Sequence, residues 1–125
     1  KLHSFHWYVN GRSFYTLHTV FENYYNYTTA TLDEAAERLL AIGGRPVSTL
    51  KGALETATIE EATEKETTSE MVAAVFHDFE LLKADLSKLM ELSEEEGDQG
   101  TSDFALGVKT QLEKNIWMLK AYLAE

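Results

Sequence analysis

The sequence of 125 residues contains no cysteine and only one proline. Without thiols there can be no disulfide, no thiolate zinc site, no cysteine-ligated iron–sulfur cluster and no thiol catalysis. Apolar runs fall far short of the ~20 residues that a membrane span requires, and the start does not read as a signal peptide, so a cytoplasmic protein is expected. Basic residues are also scarce: the chain has 11 Lys and Arg but 21 Asp and Glu, so its formal net charge is −10.

The composition nevertheless indicates a folded protein. Apolar residues make up 44% of the chain and charged residues 26%, which is typical of one globular domain over residues 1–125 and not of an acidic disordered tail. Lys1 leads directly into patterned sequence, so we expect that an extreme amino-terminal segment is missing. A charge of this sign also gives no basic patch for neutralising phosphates, so DNA binding by these residues is not expected.

Helices are indicated by the spacing of breakers and of apolar residues. Glycine and proline cluster at 43–46 and 97–107, which argues against a fold of many short strands. Between Gly11 and Gly43, large apolar residues recur at steps of three and four, a pattern that predicts one helix capped by Ser13 and closed by Gly43 and Gly44. At ~1.5 Å per residue, those 30 or so residues form a rod of roughly 45 Å.

The rest of the chain predicts further helices. Residues 1–9 resemble the tail of a helix. Thr67 and Glu70 form a capping box that predicts a long helix to about Ser93. Thr101 or Ser102 is predicted to cap a last helix. A short helix is predicted at 59–64, within the long crossover. The predicted fold is therefore all-α, a ferritin-like four-helix bundle with a short helix between its second and third main helices.

Metal chemistry is suggested by histidines that share a predicted rod with carboxylates. His6 and His18 are the candidates, together with Glu22, Asp33 and Glu37. Imidazole with carboxylate is a ligand set for iron, manganese or zinc, although the same acids would also serve as ordinary solvated charges. The two other histidines, His3 and His77, are expected to lie on the surface, and His3 has a second possibility as a support for the first ligands.

Helix geometry limits how these residues can be combined. His18 and Asp33 are 15 positions apart, so one straight helix separates them by ~22 Å and they cannot bind the same ion. If they belong to one site, two chains must build it, and a two-fold axis then creates two equivalent sites per dimer. No Glu-x-x-His motif occurs, so a di-iron centre within one subunit is disfavoured.

The same residues resemble the Dps family, also called mini-ferritins. The segment 6–11, His-Trp-Tyr-Val-Asn-Gly, is followed at the family's spacing by Leu17, His18 and Glu22. The segment 32–38, Leu-Asp-Glu-Ala-Ala-Glu-Arg, with Ile42-Gly43 and Pro46 after it, is similar to the second family signature. The resemblance covers nearly the whole chain.

The resemblance implies a cytoplasmic, hollow homododecamer that oxidises iron(II), preferentially with hydrogen peroxide, and stores ferric mineral. It implies that His6 and His18 come from one subunit and Asp33 and Glu37 from its two-fold partner. Zinc is a possible substitute for iron, because a site of nitrogen and oxygen ligands generally binds zinc more tightly than iron(II). The resemblance also implies that Glu22 is a second-iron or nucleation ligand and that Trp7 is a radical sink. It implies that Asp98 and Asp103 line a pore. Two rival hypotheses are a nucleoid-associated protein that binds DNA through an amino-terminal extension and a structural shell with a degraded metal site.

Overall fold

A computed structural model describes residues 1–124, which form five helices and contain no strand. In chain order these are α1 (Leu2–Tyr8), α2 (Phe14–Ala41), α3 (Leu50–Thr56), α4 (Thr68–Glu95) and α5 (Gln99–Leu123). They belong to two compact units, Lys1–Glu66 and the remainder from Thr67 onward, in which α1 packs on α2 and α4 packs on α5. The all-α prediction is confirmed, as is the presence of a short helix in the connection between the long ones. In the described range no helix combines the length and hydrophobicity needed to cross a bilayer.

The core of the first unit forms where α1 lies against the amino-terminal half of α2. Phe5 is fully buried and its ring centroid lies 5.9 Å from that of Phe21. Leu17 and Tyr24 continue the same buried face of α2, at the spacing of one helical turn. Burial raises the pKa of the Tyr24 hydroxyl to about 12, because water no longer stabilises the phenolate.

Glycines end α1 and α2 where the backbone needs positive φ. Gly11, at φ 88°, turns the chain between the two helices. After α2, Gly43 at φ 93° donates to the Leu40 carbonyl, and Gly44 donates to the Leu39 carbonyl. This is the Schellman arrangement, and it ends the helix where the sequence predicted.

The second unit begins at the predicted capping box. The Thr67 side chain accepts from the Glu70 backbone amide, and the Glu70 carboxylate accepts from the Thr67 amide. Buried apolar side chains recur at steps of three and four along α4 at Val72, Val75 and Phe79, and along α5 at Leu112, Ile116 and Leu119. Met71 on α4 and Ala105 on α5 are also buried.

Two predicted helix starts are wrong. Residues 59–64 are not helical. The Glu66 carboxylate accepts a hydrogen bond from the Thr63 backbone amide at 2.7 Å, and this bond lowers the pKa of Glu66. Such a local side-chain bond to the backbone competes with helix formation. The short helix is instead α3, capped by Thr49, and Gly52 inside it weakened its sequence signal. The last helix starts before the predicted Thr101 or Ser102, because the Asp98 carboxylate caps it by accepting from the Thr101 amide.

Candidate metal centre

His6 and His18 lie together although α1 carries one and α2 the other. The turn around Gly11 folds α1 onto α2, and the two imidazole rings stack with centroids 3.7 Å apart and planes inclined by 16°. His6 is buried, with 8% of its surface exposed, while His18 is partly exposed. The pair therefore sits at the edge of the core of this unit, within reach of solvent.

Each imidazole is oriented by the backbone of the other residue. His6 Nδ1 donates to the His18 carbonyl oxygen at 2.7 Å, and His18 Nδ1 donates to the His6 carbonyl oxygen at 2.8 Å. A carbonyl oxygen can only accept, so both rings carry their proton on Nδ1. In the neutral rings both Nε2 atoms then keep a lone pair, which is the arrangement found in metal-binding histidines.

Aromatic side chains surround the histidine pair. Phe14, one turn before His18 on α2, stacks on it at 4.9 Å, and Tyr25 meets the His6 ring edge-on at 5.3 Å. His3 stacks on Tyr25 at 3.9 Å. Trp7, the predicted radical sink, is 68% exposed, and its ring lies 5.6 Å from that of His3.

The three candidate carboxylates lie farther along α2. Glu22 is one turn beyond His18, and Asp33 and Glu37 are exposed near the end of the helix. Since α2 is continuous, Asp33 is about 22 Å from His18 along its axis. Among the described residues no group of three or more histidine or carboxylate side chains is placed to hold a metal ion. A single chain thus brings the imidazoles together but leaves the acids of the predicted site elsewhere.

The predicted pore residues lie at the start of α5, where Asp98 is the N-cap and Asp103 is in the early turns of the helix. Asp98 caps that helix, with its carboxylate committed to Thr101. Asp103 is exposed and lines a shallow concavity together with Glu94 and Ser102. The two acids therefore differ in availability, because Asp103 faces solvent whereas Asp98 already serves the helix start.

Comparison with known proteins identifies the fold. The family model of the ferritin-like domain matches residues 1–125. The DNA protection during starvation protein 2 of Bacillus anthracis is 50% identical over 98% of this chain and 84% of its own length. The chain belongs to the Dps family of ferritin-like proteins.

Further relatives are similar in sequence or in structure. General stress protein 20U of Bacillus subtilis is 48% identical over 98% of this chain and 85% of its own length. A Dps crystal structure from Bacillus brevis superposes with a TM-score of 0.97 at 45% identity, covering 98% of this chain and 83% of that one. A Listeria innocua Dps that was soaked with zinc gives a TM-score of 0.95 at 41% identity, covering 99% of this chain and 84% of that one. The ferritin-like fold prediction is confirmed by these Dps structures.

The contact between Tyr25 and His6 was not predicted from the sequence. Tyr25 is seven residues after His18, so two helical turns place both residues on one face of α2. The spacing of His18 and Tyr25 could therefore be seen in the sequence. The stacking of His3 on Tyr25 could not, because it depends on how α1 packs against α2.

Proposed function

We propose that this Dps chain is the subunit of a homododecamer that oxidises iron(II) with hydrogen peroxide and stores the ferric product. The supporting observation is the split distribution of ligands: His6 and His18 are paired with both Nε2 atoms open, while Asp33 lies about 22 Å away on the same helix. In the proposed site, two copies related by a two-fold axis face each other, so that the histidines of one meet Asp33 and Glu37 of the other.

The proposed chemistry divides the work between the two ligand types. Neutral imidazoles hold the ferrous substrate, and the carboxylates Asp33 and Glu37 stabilise the ferric product because hard anionic oxygen prefers the higher charge. Two iron(II) ions each give one electron to one hydrogen peroxide, the O–O bond breaks, and two hydroxide ions form. This two-electron step releases no hydroxyl radical. Glu22, one turn from His18, is assigned to the second iron or to mineral nucleation.

Exposed apolar side chains support assembly. Leu50 on α3 is 88% exposed, and Leu32 on α2 is 69% exposed. Both line one groove of the first unit, together with Val47 and Asp33. Large apolar side chains around a groove are typical of surfaces that another protein covers, and here a second copy would bring its own histidines toward Asp33.

Two further residues receive roles in the proposed assembly. Asp103, exposed at the start of α5, would attract iron(II) to a pore, with Asp98 contributing its field while it caps the helix. Trp7, exposed beside the His3 ring, would take up oxidising equivalents that leave the site.

DNA protection, which the names of several relatives state, is the alternative function. The names come from Bacillus anthracis, Brevibacillus brevis and Listeria innocua proteins, among others. With a formal charge of −10, these 125 residues offer little attraction to phosphates. Consumption of iron(II) and peroxide protects DNA without contacting it, so the ferroxidase proposal also accounts for such names.

The proposal is tested by adding iron(II) and then hydrogen peroxide to the assembled protein and following ferric absorption. We expect His18→Ala and Asp33→Ala to slow oxidation strongly, whereas His77→Ala, at an exposed histidine on α4, behaves as wild type. Equal rates in all four proteins would favour a shell with a degraded site. Zinc should inhibit wild type, because an N/O site binds zinc more tightly than iron(II).

A further inference from the structure

Tyr25 and His3 form a stacked pair beside the proposed ligand His6. The rings of His3 and Tyr25 are 3.9 Å apart and inclined by 17°, which is face-to-face stacking. The Tyr25 ring meets His6 at 5.3 Å with an interplanar angle of 87°, so its contact with the imidazole is edge-on. Three rings from two helices are therefore in one continuous contact.

The edge-on contact supplies a constraint that the hydrogen bond of His6 does not. The bond from Nδ1 to the His18 carbonyl fixes one edge of the ring, but the imidazole can still tilt about that bond. Stacking on the His18 ring at 3.7 Å restrains one face. Tyr25 contacts the same imidazole edge-on from another direction, so the hydrogen bond and the two ring contacts together restrict the orientation of Nε2.

His3 in turn restrains Tyr25. Tyr25 is only partly buried on α2, and His3 is an exposed residue near the start of α1. His3 and His6 are three positions apart and so share one side of this short helix. The stack therefore links the ring that supports His6 to the helix that carries His6.

We propose that Tyr25, held in place by His3, is a positioning residue that fixes the metal-binding orientation of the His6 imidazole. The inference deepens the proposed function and rests on metal binding at the histidine pair. Neither side chain is assigned as a ligand: the imidazole of His3 lies flat on Tyr25, and among residues 1–124 no third histidine or carboxylate is placed to complete a metal site.

The experiment measures cobalt(II) binding to the assembled protein by visible absorption, without iron or oxidant. Tyr25→Ala and His3→Ala remove the contacts, whereas Tyr25→Phe and His3→Phe keep a ring in each place. Tyr8→Ala, at an exposed tyrosine ending α1, and His77→Ala are the matched controls. His18→Ala reports whether cobalt occupies the proposed site at all.

We expect the cobalt dissociation constant to rise roughly tenfold in both alanine variants, as is typical when an outer support of a ligand is lost. Both phenylalanine variants and both controls should bind as wild type. If Tyr25→Ala does not assemble, the His3 pair gives the same comparison from an exposed position.

Two results would overturn the positioning role, and a third would overturn more. Wild-type affinity in both alanine variants would show that the ring contacts do not orient His6. Phenylalanine variants as weak as the alanine ones would assign the effect to the hydroxyl or imidazole groups and not to ring contact. If His18→Ala binds cobalt as wild type does, the proposed metal site itself fails, and this inference fails with it.

Discussion

The division of ligands along α2 leads to a complementation test between inactive variants. His18→Ala damages only the imidazole half of the proposed site, and Asp33→Ala damages only the carboxylate half. Because about 22 Å of helix separates the two positions, the halves of any one site must come from different copies. A mixed dimer of the two variants therefore contains one site with both halves intact and one site with both damaged.

The expected recovery follows from counting sites. In randomly mixed assemblies made from equal amounts of the two variants, half of the imidazole halves and half of the carboxylate halves are intact, so about one quarter of the sites are complete. The measurement is the initial rate of ferric formation after peroxide addition to co-assembled protein. Differently tagged subunits and sequential affinity capture would verify mixing.

A matched pair of variants makes the test specific. His6→Ala mixed with His18→Ala should recover nothing, because every imidazole half then lacks one ring. The reasoning is refuted if the His18 and Asp33 variants, shown to be co-assembled, remain inactive together, or if both mixtures recover equally. A site built within one chain predicts no recovery in either mixture.

Three further predictions concern stability, each measured by urea unfolding at one fixed subunit concentration. The free energy of unfolding should fall by roughly 1–2 kcal/mol between pH 10 and 12, after allowance for solvent screening. In this range Tyr24 ionises in the unfolded chain but keeps its proton in the folded one, whereas below pH 10 its contribution is constant. Tyr24→Phe should reduce that fall, and an unchanged slope would contradict the assignment. Thr67→Ala should cost about 1 kcal/mol through loss of the capping box, whereas Ser69→Ala, exposed in the same turn, should cost little. Gly11→Ala should cost about 1–2 kcal/mol because its φ is 88°, although no atom lies within 4 Å of the added methyl group; a neutral result would show that the turn relaxes.

The long helices could be predicted from the sequence. The competition between local hydrogen bonds and helix formation in the connection before α4 could not. The apolar spacing of α2 and the Thr67 capping box are local signals, and the structure has both. The predicted helix at 59–64 rests on Thr58 and Glu61, whose spacing in the sequence is that of a capping box. In the structure the backbone there is irregular, and Glu64 has a positive φ of 64°. A spacing rule cannot weigh such local alternatives against one short helix.

The candidate site was predictable in residue type but not in geometry. The spacing of His6 and His18 relative to the acids suggested metal binding and excluded a common ion for His18 and Asp33 in one helix. The crossed hydrogen bonds of the imidazoles use main-chain carbonyls, whose positions depend on how the turn at Gly11 brings α1 onto α2. In the proposed site, the carboxylate half would come from a second copy, so its geometry cannot be derived from one chain.

The unbroken length of α2 has a consequence for the life of a newly made subunit. In the proposed site, a lone copy would present two imidazoles without the acids, because Asp33 and Glu37 lie near the other end of the same continuous helix. On the proposed function, oxidation begins only when copies have joined. Ferric product would then form only where an assembled shell can store it. The rigidity of one helix would be enough to make assembly precede oxidation.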